Sequence, residues 1–403
     1  MTLDKDKNTI IRIAARGDGV TADGRHVPMA APGDKLRDDG GLDLGANHVD
    51  PLCQHFPICG GCQLQHLSDD AYADYVHDRV VGALAGQDVP VGEVRQAMVS
   101  SPKTRRRAAL RAARFGRHFQ LGFNGQGSHR VVDMQQCEIL HPALFALVAP
   151  LRSLLAERLP DRRSAQVKMS LVDQGVDVLI EGLEATDLEA AEALSIFAQS
   201  HGLARLSLDN GYGPEARWEP EPLTITLGGA AVPFAPYSFL QATEEGEAAL
   251  VAGVSEAVGS AKIVADLFCG LGTFALALAD GRKVYAAEAA REPLMALKSA
   301  AGLAGRAIVT EHRDLFRRPL MAADASKFDA IVLDPPRAGA EEQVRELANA
   351  SVPIIAYVSC NPATFARDAK KLVAGGYKLD WVQPVGQFRW STHIELVGRF
   401  SKS

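Results

Sequence analysis

The chain has no run approaching the ~18 consecutive apolar residues that a membrane span requires, although 47% of its 403 residues are hydrophobic. It is therefore read as a soluble protein with enough apolar material for substantial cores and two or three domains. Internal repeats and low-complexity tracts are also missing, so repeat-built architectures are set aside. The opening residues Met1 to Asn8 carry charge where a secretory leader needs an apolar stretch. A cytoplasmic, reducing location is expected. There, six cysteines are poor disulfide candidates and good metal ligands or nucleophiles. Acidic residues are absent from 95 to 132, where Arg95, Lys103, Arg105, Arg106, Arg107, Arg111, Arg114, Arg117 and Arg130 supply nine positive charges. The net charge is -6, so the remainder carries -15. A solvated basic face and a phosphate-binding face both remain open for this run. Aromatic residues interleave little with its arginines, so base stacking is not signalled there.

Short strands with glycine turns are predicted before residue 46, as part of a small β-barrel too cramped for a full five-stranded OB type. A helix is predicted over 67–82. Residues 99–226 read mostly as strands (105–115, 119–123, 167–172, 176–181) with one helix over 183–201, an α+β arrangement. From about 244, strands and helices alternate, which predicts an α/β domain with a parallel, doubly wound sheet. The expected units are 1–46, 47–240 and 241–403.

Three apolar runs of the last unit end in polar loops: Asp266 to Thr273, Asp334-Pro335-Pro336-Arg337, and Ser359-Cys360-Asn361-Pro362. Strand ends are where open α/β sheets place their chemistry. Gly270 and Gly272 let the backbone approach a ligand at a helix N-terminus, but the third glycine of a dinucleotide fingerprint is missing. Glu288, 22 positions after Asp266, suits ribose hydroxyls, and Asp314 suits an adenine amino group. With Asp334, these residues describe an S-adenosylmethionine site better than a pyrophosphate site.

Asp266-Leu-Phe-Cys-Gly-Leu-Gly272, Asp334-Pro-Pro-Arg337, Ser359-Cys-Asn-Pro362 and His393-Ile-Glu395 occur in that order. In these motifs the sequence resembles the RNA 5-methyluridine (uridine-C5) methyltransferases, over most of 51–400. The resemblance implies a class I Rossmann-like S-adenosylmethionine methyltransferase domain, an α+β central domain, and a short, TRAM-like β-rich N-terminal segment. It further implies that Gln241, Phe268, Thr273, Glu288, Asp314 and Asp334 bind the cofactor. Thr273 and Thr243 stand where the family often has Asn, which implies altered cofactor hydrogen bonds. Cys360 is implied as the nucleophile that adds to uracil C6, and Glu395 as the base that removes the C5 proton. The helix starting near Pro362 is expected to favour the thiolate. The target uridine must leave its stack to reach such a crevice.

Cys53, Cys59, Cys62 and the distant Cys137 form a second set of thiols, without a histidine at zinc spacing. Four thiolates suit zinc or iron. The resemblance favours a [4Fe-4S] cluster, which marks one branch of the family, and an RNA substrate that is ribosomal (23S) before it is a tRNA T-loop. A monomer is the default expectation. Two rivals were weighed: an amino-methyltransferase, disfavoured because Arg337 is not aromatic and Cys360 would be idle, and a non-catalytic iron–sulfur RNA-binding protein, disfavoured by the joint presence of Cys360 and Glu395.

Overall fold

The computed structural model describes residues 7–185 and 187–402. The first six residues of the expected N-terminal segment lie outside these. The C-terminal sheet is built on five parallel strands, in the order Ile308–His312, Lys283–Glu288, Ile263–Leu267, Ala330–Leu333, Ile354–Ser359. Apart from the partly exposed edge strand 308–312, they are short, largely apolar runs because helices cover both faces; Ala330 through Leu333 are all fully buried. The connecting helices include Thr273–Leu278, Arg291–Leu303 and Glu341–Ala348. Strand order reverses between 263–267 and 330–333, which opens a crevice at their carboxyl ends.

The sheet is not parallel throughout, as the βαβ pattern predicted. Glu395–Ser401 runs antiparallel, inserted between 354–359 and Lys378–Gly386. The loop 387–394 is shorter than the roughly dozen residues that a parallel crossover needs, so the chain returns as a hairpin.

A boundary at residue 240 does not describe the packing. The helix Asp69–Ala85 starts on the Ser68 cap and buries Tyr72, Tyr75, Val76, Val80 and Leu84. These residues share one core with Phe365, Leu372, Leu379 and Val382 of the C-terminal unit. Val91–Val94 then joins the far edge of the large sheet beside 378–386. The hairpin Thr224–Leu227/Ala230–Pro233 also packs on the C-terminal helices. Hydrophobic faces at 69–99 and 224–233 are thus completed by residues from beyond the predicted boundary.

Between these segments lies a six-stranded sheet whose central strands are Gly175–Glu181, Ser164–Val172 and Arg107–Phe115. Leu110, Val167 and Val178 pack one of its faces against Leu151 and Leu155 of helix Val148–Arg158 and Leu194 of helix Leu188–Ser200. This is the expected α+β arrangement, with helices at 142–158 that the strand-dominated reading did not include. The N-terminal segment forms five short strands in two small antiparallel sheets around Ile10, Val27 and Ala30.

Candidate active site

Strands 263–267, 330–333 and 354–359 end at one crevice with about 3080 Å³ of open space. Phe268, Asp334 and Cys360, the residues that follow those ends, line it with Gln241, Thr273, Glu288 and Glu395. The sheet register joins two of them. Ser359 pairs with Leu396, so the same register carried one residue further sets Cys360 opposite Glu395. Opposed residues share a face, with Cβ atoms about 5 Å apart.

The loop after strand 263–267 is shaped for close approach. Gly272 has φ +91°, and a Cβ there would meet Leu297 Cδ1 at 2.3 Å. Gly270 (φ +52°) faces open space. Phe268, without glycine's freedom, is held at φ +66°. Glu288 braces the loop: Oε2 accepts from Gly270 N (3.1 Å) and Oε1 from Ala290 N (2.7 Å). Asp314 stands apart from the other predicted cofactor residues. Its Oδ1 accepts from Phe316 N (3.0 Å) and Arg317 N (3.2 Å), and the turn so formed presents Leu315 and Phe316 to the crevice. The Phe316 ring lies 5.4 Å from that of Phe268; no motif had pointed to it.

The crevice is rich in acid and poor in compensation. Burial, then Asp334, pushes the Asp266 carboxyl up to about 8. Neither Asp266 oxygen has a donor at hydrogen-bonding distance, and the Ala275 N–H gives only weak relief. Burial pushes Asp334 up to about 7. Burial, then Asp334, pushes Glu395 up to about 8, with a hydrogen bond from Gln387 working in the opposite direction. The Cys360 thiol is pushed up to about 11 by burial, then Glu395 and Asp334, and Arg337 offsets little of this. Helix Pro362–Ala374 does begin beside the thiol, capped by Asn361, but the expectation that its field would favour the thiolate fails against burial and two neighbouring carboxyls.

Opposite the acids stands a wall of cations and aromatic rings. The Arg107 guanidinium lies 4.9 Å from the Tyr237 ring and 5.0 Å from the Phe239 ring, and Arg105 lies 5.5 Å from Phe388. Much of the acid-free basic run is otherwise engaged. Arg95 pairs with Glu256, Lys103 with Glu138, and Arg106, buried, with Glu247 at 2.5 Å. Arg114 donates to the Ala156 and Leu159 carbonyls. Arg105 and Arg107, not the whole run, therefore face the crevice.

The family described as tRNA (uracil-5-)-methyltransferase matches residues 237–400. An uncharacterized RNA methyltransferase of Zymomonas mobilis is 51% identical over 98% of this chain and 99% of its own length. A 23S rRNA (uracil(1939)-C(5))-methyltransferase of Halomonas elongata is 31% identical over 88% of this chain and 77% of its own. The chain belongs to the RNA uracil-C5 methyltransferase family. In fold, it is similar to the Pyrococcus abyssi tRNA (uracil-54, C5)-methyltransferase, with a TM-score of 0.75, 23% identity and 98% of each chain covered.

A methyltransferase of this family works with a sulfonium cofactor, and the crevice fits one. Half-buried Asp334 and buried Glu395, both with raised proton affinities, line this pocket, and Asp266 lies fully buried in the adjoining strand with neither oxygen hydrogen-bonded, a setting that suits a cationic ligand.

Cys269 also lines the crevice of the methyltransferase, and its other four thiols lie elsewhere. Cys53, Cys59, Cys62 and Cys137 line one cavity of about 390 Å³, and none is in a disulfide. Among the described residues, no group of three or more His, Cys, Asp or Glu is set to hold a metal ion. Burial raises each of these thiols, Cys62 to about 12, and ionising one hinders its neighbours. The cysteine loop also reaches the active site. Gln63 N and Leu64 N both donate to Trp390 O (2.8 and 2.9 Å), and Tyr72 Oη donates to Phe388 O (3.1 Å). These bonds strap down the 387–394 loop that leads into Glu395.

A carboxyl raised on folding contributes stability that is complete below its ordinary pKa and lost as pH rises through the folded value. The ligand-free protein is thus expected to lose stability between about pH 5 and pH 9. Glu395→Gln, which cannot ionise, should raise Tm at pH 9 by about 2 °C or more and leave it little changed at pH 5. Thermal melts of both proteins at the two pH values check this; an equal change at both would contradict it.

Proposed function

We propose that this enzyme methylates C5 of a uridine in RNA, with 23S rRNA as its target, through a transient bond between Cys360 Sγ and C6 of the base. The observation that carries this reading is that Cys360 and Glu395 line one crevice, one residue beyond and one residue before the paired Ser359 and Leu396. Uracil C5 is a poor nucleophile until a thiolate adds at C6 and its electrons pass into the ring. S-adenosylmethionine, held by Gln241, Phe268, Thr273, Glu288 and Asp334 with Asp314 ordering the rim, supplies an electrophilic methyl group when bound. Once C5 carries the methyl, Glu395 takes the C5 proton, the C6–S bond breaks, and its electron pair returns to Cys360 as thiolate. Both groups must be unprotonated in turn, yet both hold their protons tightly in the ligand-free protein. The rate is therefore expected to climb with pH through neutrality.

Arg105, Arg107, Tyr237 and Phe239 would receive the nucleotide, pairing phosphate attraction with a ring face on which an unstacked base can lie. Ribosomal RNA is preferred over tRNA because the relative named for 23S rRNA shares 31% identity over most of this chain, whereas the match to the tRNA enzyme is one of fold. A monomer acting in the cytoplasm completes the reading.

The reading also includes a [4Fe-4S] cluster on Cys53, Cys59, Cys62 and Cys137. The chemistry of the donor set supports it: four thiols outside any disulfide line one cavity, and Cys59, Cys62 and Cys137 are each made harder to ionise by cysteine neighbours, a setting that a multiply charged metal centre would suit.

RNA carrying 5-fluorouridine is expected to become covalently trapped on the wild-type enzyme with cofactor, because fluorine cannot leave as the C5 proton does. Cys360→Ala should trap none and lose at least about 1000-fold in turnover. Trapping by the alanine variant would overturn the nucleophile. Mapping 5-methyluridine in RNA from cells with and without the enzyme tests the target: loss from tRNA alone would replace the ribosomal reading. For the cluster, protein purified without oxygen should contain iron and acid-labile sulfide in equal amounts, and Cys62→Ser should lose both. Zinc in their place would overturn it.

A further inference from the structure

Gln387 belongs to none of the motifs and is 2% exposed, and its side-chain amide is fully committed. Its Oε1 accepts from the backbone N–H of Ala242 at 2.8 Å. A backbone N–H can only donate, so the orientation of the amide is fixed by chemistry and not by choice. Nε2 must then point the other way. It donates to Gln241 Oε1 at 2.7 Å, and the Gln387 side chain lowers the proton affinity of Glu395. Strand register explains the reach. Val385 is the cross-strand partner of Glu395, so Gln387, two residues on, lies diagonal to the carboxylate, a spacing that a long side chain spans.

Both ends of this bridge are anchored. Arg106 Nε donates to Gln241 O (3.1 Å) and Arg106 N to Ala242 O (2.9 Å), while Arg107 Nη1 donates to Leu240 O (2.9 Å). Space for Gln387 is made by Gly246 in the first turn of helix Glu244–Val258. A Cβ at that position would meet Gln387 Cβ at 2.5 Å and Oε1 at 3.0 Å.

We infer that Gln387 is a positioning residue for the base: its amide, locked by the Ala242 N–H, can only donate to Glu395 and so aims and stabilises the ionised carboxylate. The inference rests on Glu395 being the base that removes the C5 proton. The surroundings make such a donor necessary. Asp334 opposes a charge on Glu395, while Arg337, His393 and Arg105 stand around the same crevice mouth. Among these groups, Gln387 is the one whose hydrogen bond favours the ionised form of Glu395.

The test is the pH profile of kcat/KM, measured with matched RNA and cofactor for wild type, Gln387→Met and Gln387→Glu. Methionine keeps the volume and removes the donor; glutamate keeps the shape and adds an opposing charge. A hydrogen bond to a charged group is worth enough to move the acidic limb by about one to two pH units. The limb should move upward in both variants and further for Gln387→Glu, with turnover below the limb falling about ten-fold or more. Above the limb, Gln387→Met should recover most of the wild-type rate. Both variants should still become trapped on 5-fluorouridine RNA, because adduct formation requires Cys360 and not proton removal. An unmoved limb, with rates lowered equally at every pH, overturns the inference while leaving the covalent reading intact. Failure of the wild type to trap this RNA overturns both, and Gly246→Ala, which crowds Gln387 from the helix side, should move the limb in the same direction even if a Gln387 variant does not fold.

Discussion

The site depends on the pairing of two strands. The nucleophile candidate leaves the end of a parallel strand, and the base candidate enters at the start of the antiparallel strand beside it; only the pairing of Ser359 with Leu396 brings them face to face. A slip of one residue would turn one of the two side chains to the opposite face. That register is enforced far from the crevice. Phe400 packs against Phe365, and Gly398 lies so close to the Phe365 ring that a Cβ would meet Cζ at 2.6 Å. Arg399 bonds to Asp380 on the next strand. Ordinary sheet packing thus sets a distance on which the chemistry depends.

The same pairing creates an electrostatic problem. Asp334 makes ionisation of Asp266, Glu395 and Cys360 harder, and Glu395 does the same to Cys360. A purely structural core would avoid such a group, because buried carboxyls without partners are destabilising. The cost is coherent if the crevice exists to receive a cation: a sulfonium beside these acids would lower their proton affinities together, so binding of the cofactor would also prepare the thiol and the base. Empty, the crevice holds its protons; loaded, it would release them.

How much of this could be read in the sequence differs from feature to feature. Three of the parallel strands were legible because each is a short apolar run ending in a polar motif, and Phe268, Asp334 and Cys360 mark the ends that meet. The antiparallel strand was not, since 395–401 looks like its neighbours and only the length of the 387–394 loop separates a hairpin from a crossover. The basic run misled for a different reason. Charge counts do not record partners, and Glu247, Glu256 and the carbonyls of Ala156 and Leu159 lie dozens of residues away from the arginines they engage. The cation–aromatic wall was hidden likewise, because Arg107 and Tyr237 are separated by more than a hundred positions. Gln387 carries no motif at all; its role is visible only in what its amide touches.

The placement of the cysteine cavity can be understood from the loop it braces. The chain from 387 to 394 must end with Glu395 correctly aimed, yet it contains Trp390 at φ +57° and no regular element. Backbone held in that conformation needs support from outside. Two successive N–H groups next to Cys62 provide it by converging on Trp390 O, and Tyr72 adds a third bond through Phe388 O. On the other side, Gly60 N bonds to Asn124 O and Gln126 N to Ile58 O, tying the same cysteine segment to the 124–127 turn that lines the crevice. One short segment therefore holds both the approach to the base and part of the wall that would meet RNA. A centre that fixed the four thiols would stiffen both at once without taking part in methyl transfer, and so no electron needs to move for it to matter.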